Sequence, residues 1–281
     1  MTDMTGKRIL VTGATNGIGL EASVKLARMG ADVVIVGRDR ARTEAVAKQI
    51  GERAGRPVDF MLADFVVLDT VRQLAADYRA RYDRLDVLIN NAGTVYPERT
   101  LTAEGHEATF AVNHLAPFLL TRELRDLLVT SAPSRVINTS SRASFRGSID
   151  FDDLGMSRGY FIMKAYARSK LANVLFTRRL ARELAGSGVT THAVHPGVIA
   201  TNIWSHAPAW IRPLMQLIAR WFFRSAEQGG DTLVNLASNP ALEGRTGLYF
   251  NELKEKPAAP LAMDDALADR LWVTSETLVA G

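Results

Sequence analysis

The chain of 281 residues contains no cysteine, which excludes disulfide bonds, thiolate nucleophiles and cysteine-ligated metals. It also lacks any run near the roughly 18 uninterrupted apolar residues that a transmembrane helix requires. The N-terminal residues Met1 to Arg8 have neither the apolar core nor the small-residue cleavage site of a signal peptide. A chain of this composition fits a reducing cytoplasm, and a cytoplasmic protein is therefore expected.

Strong charge and metal-binding motifs are scarce as well. The net charge is only +4 and the basic residues are scattered, so no nucleic-acid partner is expected. His192 and His195 stand three apart on a predicted strand and so face opposite sides of it. There is no His-Glu-x-x-His sequence and no Asp-rich calcium loop. No metal site is therefore predicted.

A strand, a glycine-rich turn and a helix follow one another near the N-terminus. Lys7 to Val11 reads as a short buried strand, Thr12 to Gly19 as the turn, and Leu20 to Met29 as an amphipathic helix. Glycines at 13, 17 and 19 permit a tight turn, and the free N–H groups of a helix N-terminus bind pyrophosphate. The alternative is a plain turn of small residues. The strand and helix on either side favour a dinucleotide site.

The second strand ends in residues that bear on the choice between NAD and NADP. Ala31 to Val36 reads as a buried strand, and Gly37, Arg38 and Asp39 follow it. NAD enzymes commonly place an acidic side chain here to bond the ribose hydroxyls. Gly37 leaves that place empty, and the Arg38 guanidinium suits the 2′-phosphate of NADP. NADP is favoured, although Asp39 keeps NAD open and Arg38 could be only a solvated loop charge.

Strands continue to alternate with helices along the chain. Further strands are predicted at 58–62, 86–90, 134–141 and 189–195, and further helices at 40–54, 67–82, 102–129 and 163–185. Pro117 inside the third of these helices predicts an irregular turn near Asn113. The alternation predicts an α/β fold, a single-domain Rossmann-like doubly wound parallel sheet with helices on both faces. Ligands of such sheets bind at the carboxyl ends of the strands, where Gly13, Arg38, Asp64 and the segment 91–93 fall.

Tyr166 and Lys170 stand four positions apart on one face of the predicted helix. Tyrosine has a reference pKa of about 10, and a nearby ammonium lowers the pKa of its hydroxyl. The pair is therefore a candidate general acid/base, although an exposed helical turn would show the same spacing. Ser140 and Ser141 end the preceding strand, and because strand side chains alternate only one of them can face this pair.

These motifs together resemble the short-chain dehydrogenase/reductase family from Thr12 to Trp272. The resemblance rests on Thr12-Gly13-x3-Gly17-x-Gly19, Asn90-Asn91-Ala92-Gly93, Asn113, Ser141, Tyr166-x3-Lys170 and Pro196-Gly197. Finer motifs resemble the retinol dehydrogenase-like branch, namely Val112-Asn113-His114-Leu115, Pro133-Ser134-Arg135-Val136, Ser169-Lys170-Leu171-Ala172-Asn173, Phe176-Thr177-Arg178 and Arg270-Leu271-Trp272. Counting forward from Arg135, Ser141 falls on the family's catalytic serine.

The resemblance implies a role for each catalytic residue. Tyr166 would transfer the proton at the substrate oxygen, and Ser141 would hydrogen-bond that oxygen. Lys170 would hold the nicotinamide ribose and lower the pKa of the tyrosine, while Asn113 would position a water for proton relay. Thr201 would bind the carboxamide. The implied reaction moves a hydride between nicotinamide C4 and a carbonyl carbon.

The resemblance also implies a set of residues around the cofactor. These are Gly13, Thr15, Asn16, Gly17, Ile18, Gly19, Arg38, Asp64, Phe65, Asn91, Ala92, Gly93, Tyr166, Lys170, Pro196, Gly197, Ile199 and Thr201. Residues 1–281 would form one domain, with the cofactor half at about 1–140 and the catalytic and substrate half at about 141–281. The family resemblance also allows a homo-oligomer.

The segment 202–224 follows the sixth predicted strand and holds Trp204, Trp210 and Trp221. It is interpreted as a lid over a bulky apolar substrate; packing on the core and peripheral contact with a membrane surface are the alternatives. The sequence thus predicts an NADP(H)-dependent oxidoreductase that interconverts an alcohol and an aldehyde or ketone. The alternative is a catalytically idle NADP-binding scaffold or sensor on the same fold.

Overall fold

The computed structural model describes residues 2–197 and 225–280, and its centre is one eight-stranded sheet. The strands are β1 (Arg8–Thr12), β2 (Asp32–Gly37), β3 (Asp59–Leu62), β4 (Val87–Asn90), β5 (Ser134–Thr139), β6 (Val189–His195), β7 (Leu248–Asn251) and β8 (Lys254–Lys256). Their order across the sheet is β3-β2-β1-β4-β5-β6-β7-β8. All neighbouring pairs are parallel except β7 with β8.

Helices connect the parallel strands. They are α1 (Gly17–Arg28), α2 (Arg40–Ala54), α3 (Leu68–Arg81), α4 (Ala108–Phe110), α5 (Ala116–Glu123), α6 (Arg125–Thr130), α7 (Ile162–Glu183), α8 (Ala226–Ser238) and α9 (Asp265–Val279). A π-helix, Ala111–Leu115, joins α4 to α5, and short 3-10 turns at Arg142–Arg146 and Phe151–Asp153 occupy the insert before α7. None of the described helices is long and apolar enough to span a bilayer.

Two apolar layers hold the helices on opposite faces of the sheet. One layer contains side chains of α3, α5, α7 and α9, and the other contains side chains of α1, α2 and α8. The central strands are apolar on both faces, as Ile9, Leu10 and Val11 show, because both faces are covered. The predicted doubly wound α/β fold is therefore confirmed.

The predicted helix 102–129 is wrong in its start and its continuity. Residues 102–106 form a turn in which the Thr102 N–H donates to the His106 carbonyl over 2.8 Å, and Gly105 has a φ of +83°. Helical structure begins only where the Glu107 carboxylate accepts hydrogen bonds from the N–H groups of Thr109 and Phe110. The irregularity expected near Asn113 is present as the π-helix.

Strands β7 and β8 were not predicted. β7 is a four-residue strand added beside β6, and β8 returns antiparallel to it at the edge of the sheet. Both are short, and the three residues of β8 are exposed and charged, so neither carries the long apolar run of a central strand.

Candidate active site

The carboxyl ends of the parallel strands meet at one edge of the sheet and bring the candidate residues together. Thr12 ends β1, Gly37 ends β2, Asn90 ends β4, Thr139 ends β5 and His195 ends β6. The predicted site residues within the described ranges lie on these ends, in the loops that follow them, or on α1, the π-helix and α7. The site is thus assembled by the parallel topology from distant parts of the chain.

The N-terminus of α1 offers unpaired donors to an anion. Asn16 is its N-cap residue but makes no side-chain capping bond, and no acidic residue stands in the first turn. In α2, by contrast, the Asp39 carboxylate accepts from the Arg42 N–H over 2.8 Å. A Cβ added to Gly17 would meet nothing within 4 Å. The turn therefore leaves open space in front of free N–H groups, which suits a pyrophosphate.

Positions 13 and 19 require glycine, because neighbouring parts of the chain lie too close to leave room for a Cβ. A Cβ on Gly13 would lie 2.7 Å from the Ala92 Cα, and one on Gly19 would lie 2.6 Å from both the Gly13 carbonyl oxygen and the Asn91 Nδ2. The Asn91 amide donates to the carbonyls of Thr12 and Gly13 over 3.1 and 3.0 Å. Asn91 thus ties the loop after β4 to the loop after β1.

Thr12 also connects the end of β1 to the loop after β4. It was not among the predicted site residues. Its Oγ1 accepts from the N–H groups of Asn91 and Ala92, both over 3.0 Å, and donates to the Ile89 carbonyl over 3.2 Å. The side chain is buried. Its place in the Thr12-Gly13 motif was the signal, since a hydroxyl at a strand end can bond both the neighbouring strand and the loop that follows it.

Arg38 lies at the end of β2, where an adenosine ribose would lie in a dinucleotide complex. Its side chain is exposed, and it forms no ion pair or hydrogen bond with the residues described. A Cβ on Gly37 would lie 2.2 Å from the Thr43 Oγ1 and 2.7 Å from the Thr15 methyl. No acidic side chain can therefore occupy position 37 without rearrangement.

Asp64 and Phe65 lie in the loop after β3. The Asp64 carboxylate accepts from the Val66 N–H over 3.1 Å, which fixes the turn. The Phe65 side chain is buried in the apolar core, so its backbone is the part that can face a ligand.

Lys170 is buried, and its ammonium donates to the Thr139 carbonyl over 3.1 Å. Burial lowers the pKa of Lys170 from 10.5 to about 8, because charge is costly away from water. A Cβ on Gly93 would lie 3.4 Å from the Lys170 Nζ and 3.2 Å from the Asn113 Oδ1. Gly93, Asn113 and Lys170 are thus immediate neighbours.

Tyr166 lies beside Lys170, with 5.6 Å between the Lys170 Nζ and the centre of the tyrosine ring. The sequence predicted a lowered tyrosine pKa, and this prediction is wrong. Burial raises the pKa of Tyr166, and the hydrogen bond from Ser141 offsets only part of that effect. The desolvation of the phenolate outweighs the influence of the neighbouring lysine.

The two serines at the end of β5 have different partners, as their alternation predicted. Ser141 hydrogen-bonds Tyr166 and also accepts from the Ala143 N–H over 3.2 Å. Ser140 is buried and donates to the Lys170 carbonyl over 2.7 Å. Ser141 therefore lies next to the tyrosine hydroxyl, while Ser140 fixes α7 against the sheet.

The Asn113 side chain is fully engaged by the protein. Its amide nitrogen donates to the Thr94 carbonyl and the Ser169 Oγ over 2.9 and 3.0 Å, and its Oδ1 accepts from the Thr94 N–H over 2.8 Å. Pro117, four residues later, has no N–H to pair with the Asn113 carbonyl. The side-chain amide is therefore held by the protein, and the Asn113 carbonyl lacks the N–H partner that a regular α-helix would give it.

Pro196 and Gly197 follow β6 and are buried, with Gly197 at a φ of +100°. Two predicted cofactor residues, Ile199 and Thr201, lie outside the described residues. The segment 202–224, predicted as a lid, also lies outside them.

A cavity of about 540 Å³ lies at the opposite edge of the sheet, beneath the amino ends of β4, β5 and β6. Three of its charged groups already have partners: Lys7 pairs with Asp86 over 2.9 Å, and Arg135 donates to the Leu236 carbonyl over 2.8 Å. None of the predicted site residues lines it. The predicted site residues therefore lie away from this cavity, at the carboxyl edge.

The residues present fit a nicotinamide dinucleotide. The uncapped start of α1 with open space at Gly17 suits the pyrophosphate, and the buried ammonium of Lys170 beside Gly93 suits the hydroxyls of a ribose. Among the residues described, no cluster of three or more His, Asp or Glu side chains could hold a metal ion.

Comparison with known proteins supports the same assignment. A family model described as short chain dehydrogenase matches residues 7–212. Retinol dehydrogenase 14 of Mus musculus is 42% identical over 289 residues, covering 98% of this chain and 86% of that protein. "Putative daunorubicin C-13 ketoreductase DnrU" of Streptomyces sp. (strain C5) is 42% identical over 279 residues, covering 98% and 93%.

A solved structure has a similar fold. The Pseudomonas aeruginosa RhlG/NADP active-site complex superposes with a TM-score of 0.72 at 26% identity, covering 95% of this chain and 98% of that one. The motifs, the site and the matches over nearly the whole chain agree. The chain belongs to the short-chain dehydrogenase/reductase family, on its retinol dehydrogenase-like branch, and its members bind a nicotinamide dinucleotide and act on alcohols and carbonyl compounds.

Proposed function

We propose that the protein is an NADP(H)-dependent oxidoreductase that interconverts a bulky apolar alcohol and its aldehyde or ketone. One observation carries the proposal. Tyr166, Ser141, Lys170 and Asn113 converge at the carboxyl edge of the sheet, next to an uncapped helix that can bind a pyrophosphate.

Each catalytic side chain takes one part of the reaction. A bound nicotinamide supplies the hydride in the reductive direction and accepts it in the oxidative one. In reduction, the Tyr166 hydroxyl gives its proton to the carbonyl oxygen, and the carbonyl becomes an alcohol. The Ser141 hydroxyl hydrogen-bonds that oxygen and stabilises its developing negative charge. The Lys170 ammonium holds the ribose hydroxyls and its charge favours the phenolate once the proton has left.

The raised pKa of Tyr166 bears on the proton transfer. A tyrosine that holds its proton at neutral pH is in the form that donates to the carbonyl oxygen during reduction. A water on the Asn113 backbone carbonyl would return a proton from solvent. We assign the nicotinamide end of the cofactor to Pro196, Gly197, Ile199 and Thr201, and the adenine end to Asp64 and Phe65.

The preference for NADP rests on three features at the end of β2. Arg38 is exposed there without a protein partner among the described residues. Asp39 is engaged in capping α2, and position 37 has no room for a carboxylate. A guanidinium in this place binds a 2′-phosphate. The RhlG complex, a relative in fold, is an NADP complex.

A bulky substrate is supported by apolar side chains that are exposed on the elements carrying the catalytic residues. Met163 stands three residues before Tyr166 on the same face of α7, and Phe161 precedes that helix. Phe145 lies in the turn that begins after Ser141, and Val95 follows Thr94. Two relatives are named for large substrates, retinol dehydrogenase 14 and "Putative daunorubicin C-13 ketoreductase DnrU".

Tyr166→Phe tests the reaction. It should abolish NADPH-dependent reduction of long-chain or polycyclic aldehydes and ketones while leaving NADPH binding nearly intact, because only the proton carrier is lost. The measurement is NADPH oxidation together with a fluorescence titration of NADPH. In the parent protein, kcat/KM should rise with substrate length at about 0.8 kcal/mol per buried CH₂.

The same assay distinguishes the catalytically idle alternative. A parent protein that binds NADPH but turns over no carbonyl or alcohol of any size would favour a scaffold or sensor. A Tyr166→Phe variant that keeps most of its kcat would remove the proposed acid/base.

Arg38→Asp tests the cofactor preference. The change should shift selectivity from NADPH toward NADH, since a charge-assisted bond to phosphate contributes about 1.5–3 kcal/mol, or roughly tenfold or more in affinity. Lys48→Asp makes the same charge change on the far part of α2 and should leave the ratio unaltered. Equal kcat/KM for NADPH and NADH in the parent would contradict the assignment.

Cellular location and assembly complete the proposal. The absence of cysteine is compatible with a reducing cytoplasm, where we place the enzyme. A homo-oligomer is in keeping with the family, and size-exclusion chromatography with light scattering would measure it.

A further inference from the structure

The loop that follows β4 is fixed beside the catalytic residues. The Thr94 N–H donates to the Asn113 Oδ1 over 2.8 Å, and the Asn113 amide donates to the Thr94 carbonyl over 2.9 Å. Two residues later, the Tyr96 N–H donates to the Thr109 Oγ1 over 3.3 Å. Val95 lies between these two anchors and exposes its side chain. The loop thus holds an apolar side chain at the surface close to Asn113.

The insert before α7 is fixed against the helix that carries the catalytic tyrosine. Arg168 of that helix is buried, and its Nη1 donates to the carbonyls of Asp153 and Leu154 over 2.7 and 2.6 Å. Earlier in the insert, a Cβ on Gly147 would lie 2.5 Å from the Ala167 carbonyl oxygen. The insert therefore contacts α7 at two separate points.

A turn then leads the insert to Tyr160. The Asp153 carboxylate accepts from the N–H groups of Ser157 and Arg158 over 2.7 and 3.1 Å. Gly159 follows with a φ of +71°, a conformation that favours glycine. Tyr160 is half-buried and stands two residues before the start of α7.

Two hydrogen bonds join the loop to the insert. The Tyr160 hydroxyl donates to the Tyr96 carbonyl over 2.7 Å, and the Arg99 Nε donates to the Gly155 carbonyl over 2.7 Å. The paired residues are 64 and 56 positions apart in the chain. A Cβ on Gly155 would lie 3.4 Å from the Arg99 Nη2, so the guanidinium lies close against the insert. We call the two joined segments, residues 94–99 and 153–160, the rim.

We propose that Tyr160 is a specificity-determining residue, whose bond to the Tyr96 carbonyl holds the rim closed as an apolar wall for a bulky substrate. The inference rests on the proposed function and names the part of the site that selects for substrate size. Val95 in one segment and Phe161 directly after the other both expose apolar side chains. Tyr160 is a positioning residue, since it acts through the loop that carries Val95.

The rim should matter for long substrates and not for short ones. A short aldehyde occupies only the space at Tyr166 and Ser141, whereas a long one extends beyond them and needs an apolar surface to pack against. A wall that is closed for only a fraction of the time weakens the apparent affinity for the long substrate by that fraction. The loss should therefore appear in KM for the long substrate.

Tyr160→Phe tests the proposal, because it removes the hydroxyl and keeps the ring. Tyr78→Phe is the matched control: the Tyr78 hydroxyl also donates to a backbone carbonyl, that of Arg84, over 3.2 Å, but at the opposite edge of the sheet. The assay is NADPH-dependent reduction of decanal and of butanal, with kcat and KM measured for each. NADPH affinity is measured by fluorescence titration.

Arg99→Gln removes the second bond of the rim from an exposed position. Its control is Arg28→Gln, since the exposed Arg28 also donates through Nε to a backbone carbonyl, that of Arg53, over 2.9 Å. A second readout does not depend on activity. Exchange of the Tyr96 amide hydrogen, measured by NMR in the cofactor-free protein, reports whether the rim stays closed.

We expect Tyr160→Phe to lower the decanal-to-butanal ratio of kcat/KM about two- to fivefold, through a higher KM for decanal. The kcat with butanal and the NADPH affinity should stay parental, and the Tyr96 amide should exchange about threefold faster or more. Arg99→Gln should act in the same direction with a smaller effect, because its bond is exposed to water. Tyr78→Phe and Arg28→Gln should change neither the ratio nor the exchange.

A folded Tyr160→Phe variant with the parental ratio would overturn the proposal. An equal loss of kcat on both aldehydes would overturn it as well, because a size-selecting wall acts on KM for the long one. Should Tyr160→Phe fail to fold, Arg99→Gln decides by the same two readouts, and parental values of both would refute the rim. A parent protein that reduces neither aldehyde would remove the proposed function itself, which distinguishes the two failures.

Discussion

At the scale of single residues, His192 is a buried titratable residue that takes no part in the proposed reaction. Its side chain is fully buried in β6, edge-on to Phe250 at a centroid distance of 5.6 Å. Neither ring nitrogen has a hydrogen-bond partner among the described residues. Burial, together with the charges of Arg135 and Arg245, lowers the pKa of His192 to about 4. An unpartnered imidazole of this kind costs folding free energy.

Replacing His192 by leucine should therefore stabilise the protein by about 1–2 kcal/mol at pH 7. The effect should grow in acid. Between pH 6.5 and 4 the unfolded chain binds a proton that the folded His192 refuses, so parental stability falls as the pH falls, by up to about 3 kcal/mol from this residue.

Urea denaturation of parent and His192→Leu at pH 7, 6 and 5 measures the difference. His114 titrates in both proteins, so its contribution cancels. A leucine variant that is less stable at pH 7, with a deficit that does not shrink on acidification, would show that the imidazole has a role in the fold.

Residue types and spacing predicted much of the site but not its electrostatics. The alternation of strand side chains correctly separated Ser140 from Ser141, and helical spacing correctly joined Tyr166 to Lys170. The raised pKa of Tyr166 could not be predicted, because it depends on how much water the folded site excludes. Thr12 was missed for a related reason, since its partners come from a strand distant in sequence.

At the scale of elements, the π-helix at Ala111–Leu115 lies where Pro117 in the sequence predicted an irregular turn. Pro117 cannot donate to the Asn113 carbonyl, so the regular pattern of helical bonds is interrupted there. Meanwhile the Asn113 side chain is tied to Thr94 and Ser169. The interruption thus leaves the Asn113 carbonyl without the partner that a regular α-helix would give it, in keeping with its proposed role in holding a water.

Pro117→Ala should restore an N–H that can bond this carbonyl. We expect kcat to fall about tenfold or more, as for the loss of a proton relay, while NADPH binding stays close to parental. Pro240→Ala, in a 3-10 turn away from the site, is the control and should leave kcat unchanged. Parental kcat in a folded Pro117→Ala variant would argue against a role for the Asn113 carbonyl.

The periodicity of apolar residues correctly predicted the type of element where a segment is long and buried. The helix at 40–54 agrees with α2 and the helix at 163–185 agrees closely with α7. Short elements gave less signal: the turn at 102–106 was assigned to a helix, and β7 and β8 were overlooked. Their structure depends on partners such as β6 more than on their own composition.

At the scale of the whole molecule, the cofactor half and the catalytic half share one sheet and both of its covering layers. β5, from the first half, lies between β4 and β6 and pairs with both. The α8 helix, from the second half, packs on α1 so closely that a Cβ on Gly230 would lie 3.0 Å from the Ala22 backbone nitrogen. The Lys25 ammonium adds a bond of 2.6 Å to Asp231.

This arrangement predicts one cooperative unfolding unit rather than two independent halves. Gly230→Val should crowd the contact between α8 and α1 and destabilise the protein by about 1–3 kcal/mol. Because the sheet is continuous, the loss should appear equally in the most protected amides of β2 in the first half and β6 in the second, as measured by native-state hydrogen exchange. The calorimetric and van't Hoff enthalpies of unfolding should also agree. Amides of β2 that keep their parental protection while those of β6 exchange faster would divide the chain into two domains near residue 140, contrary to the single domain that the sequence predicts.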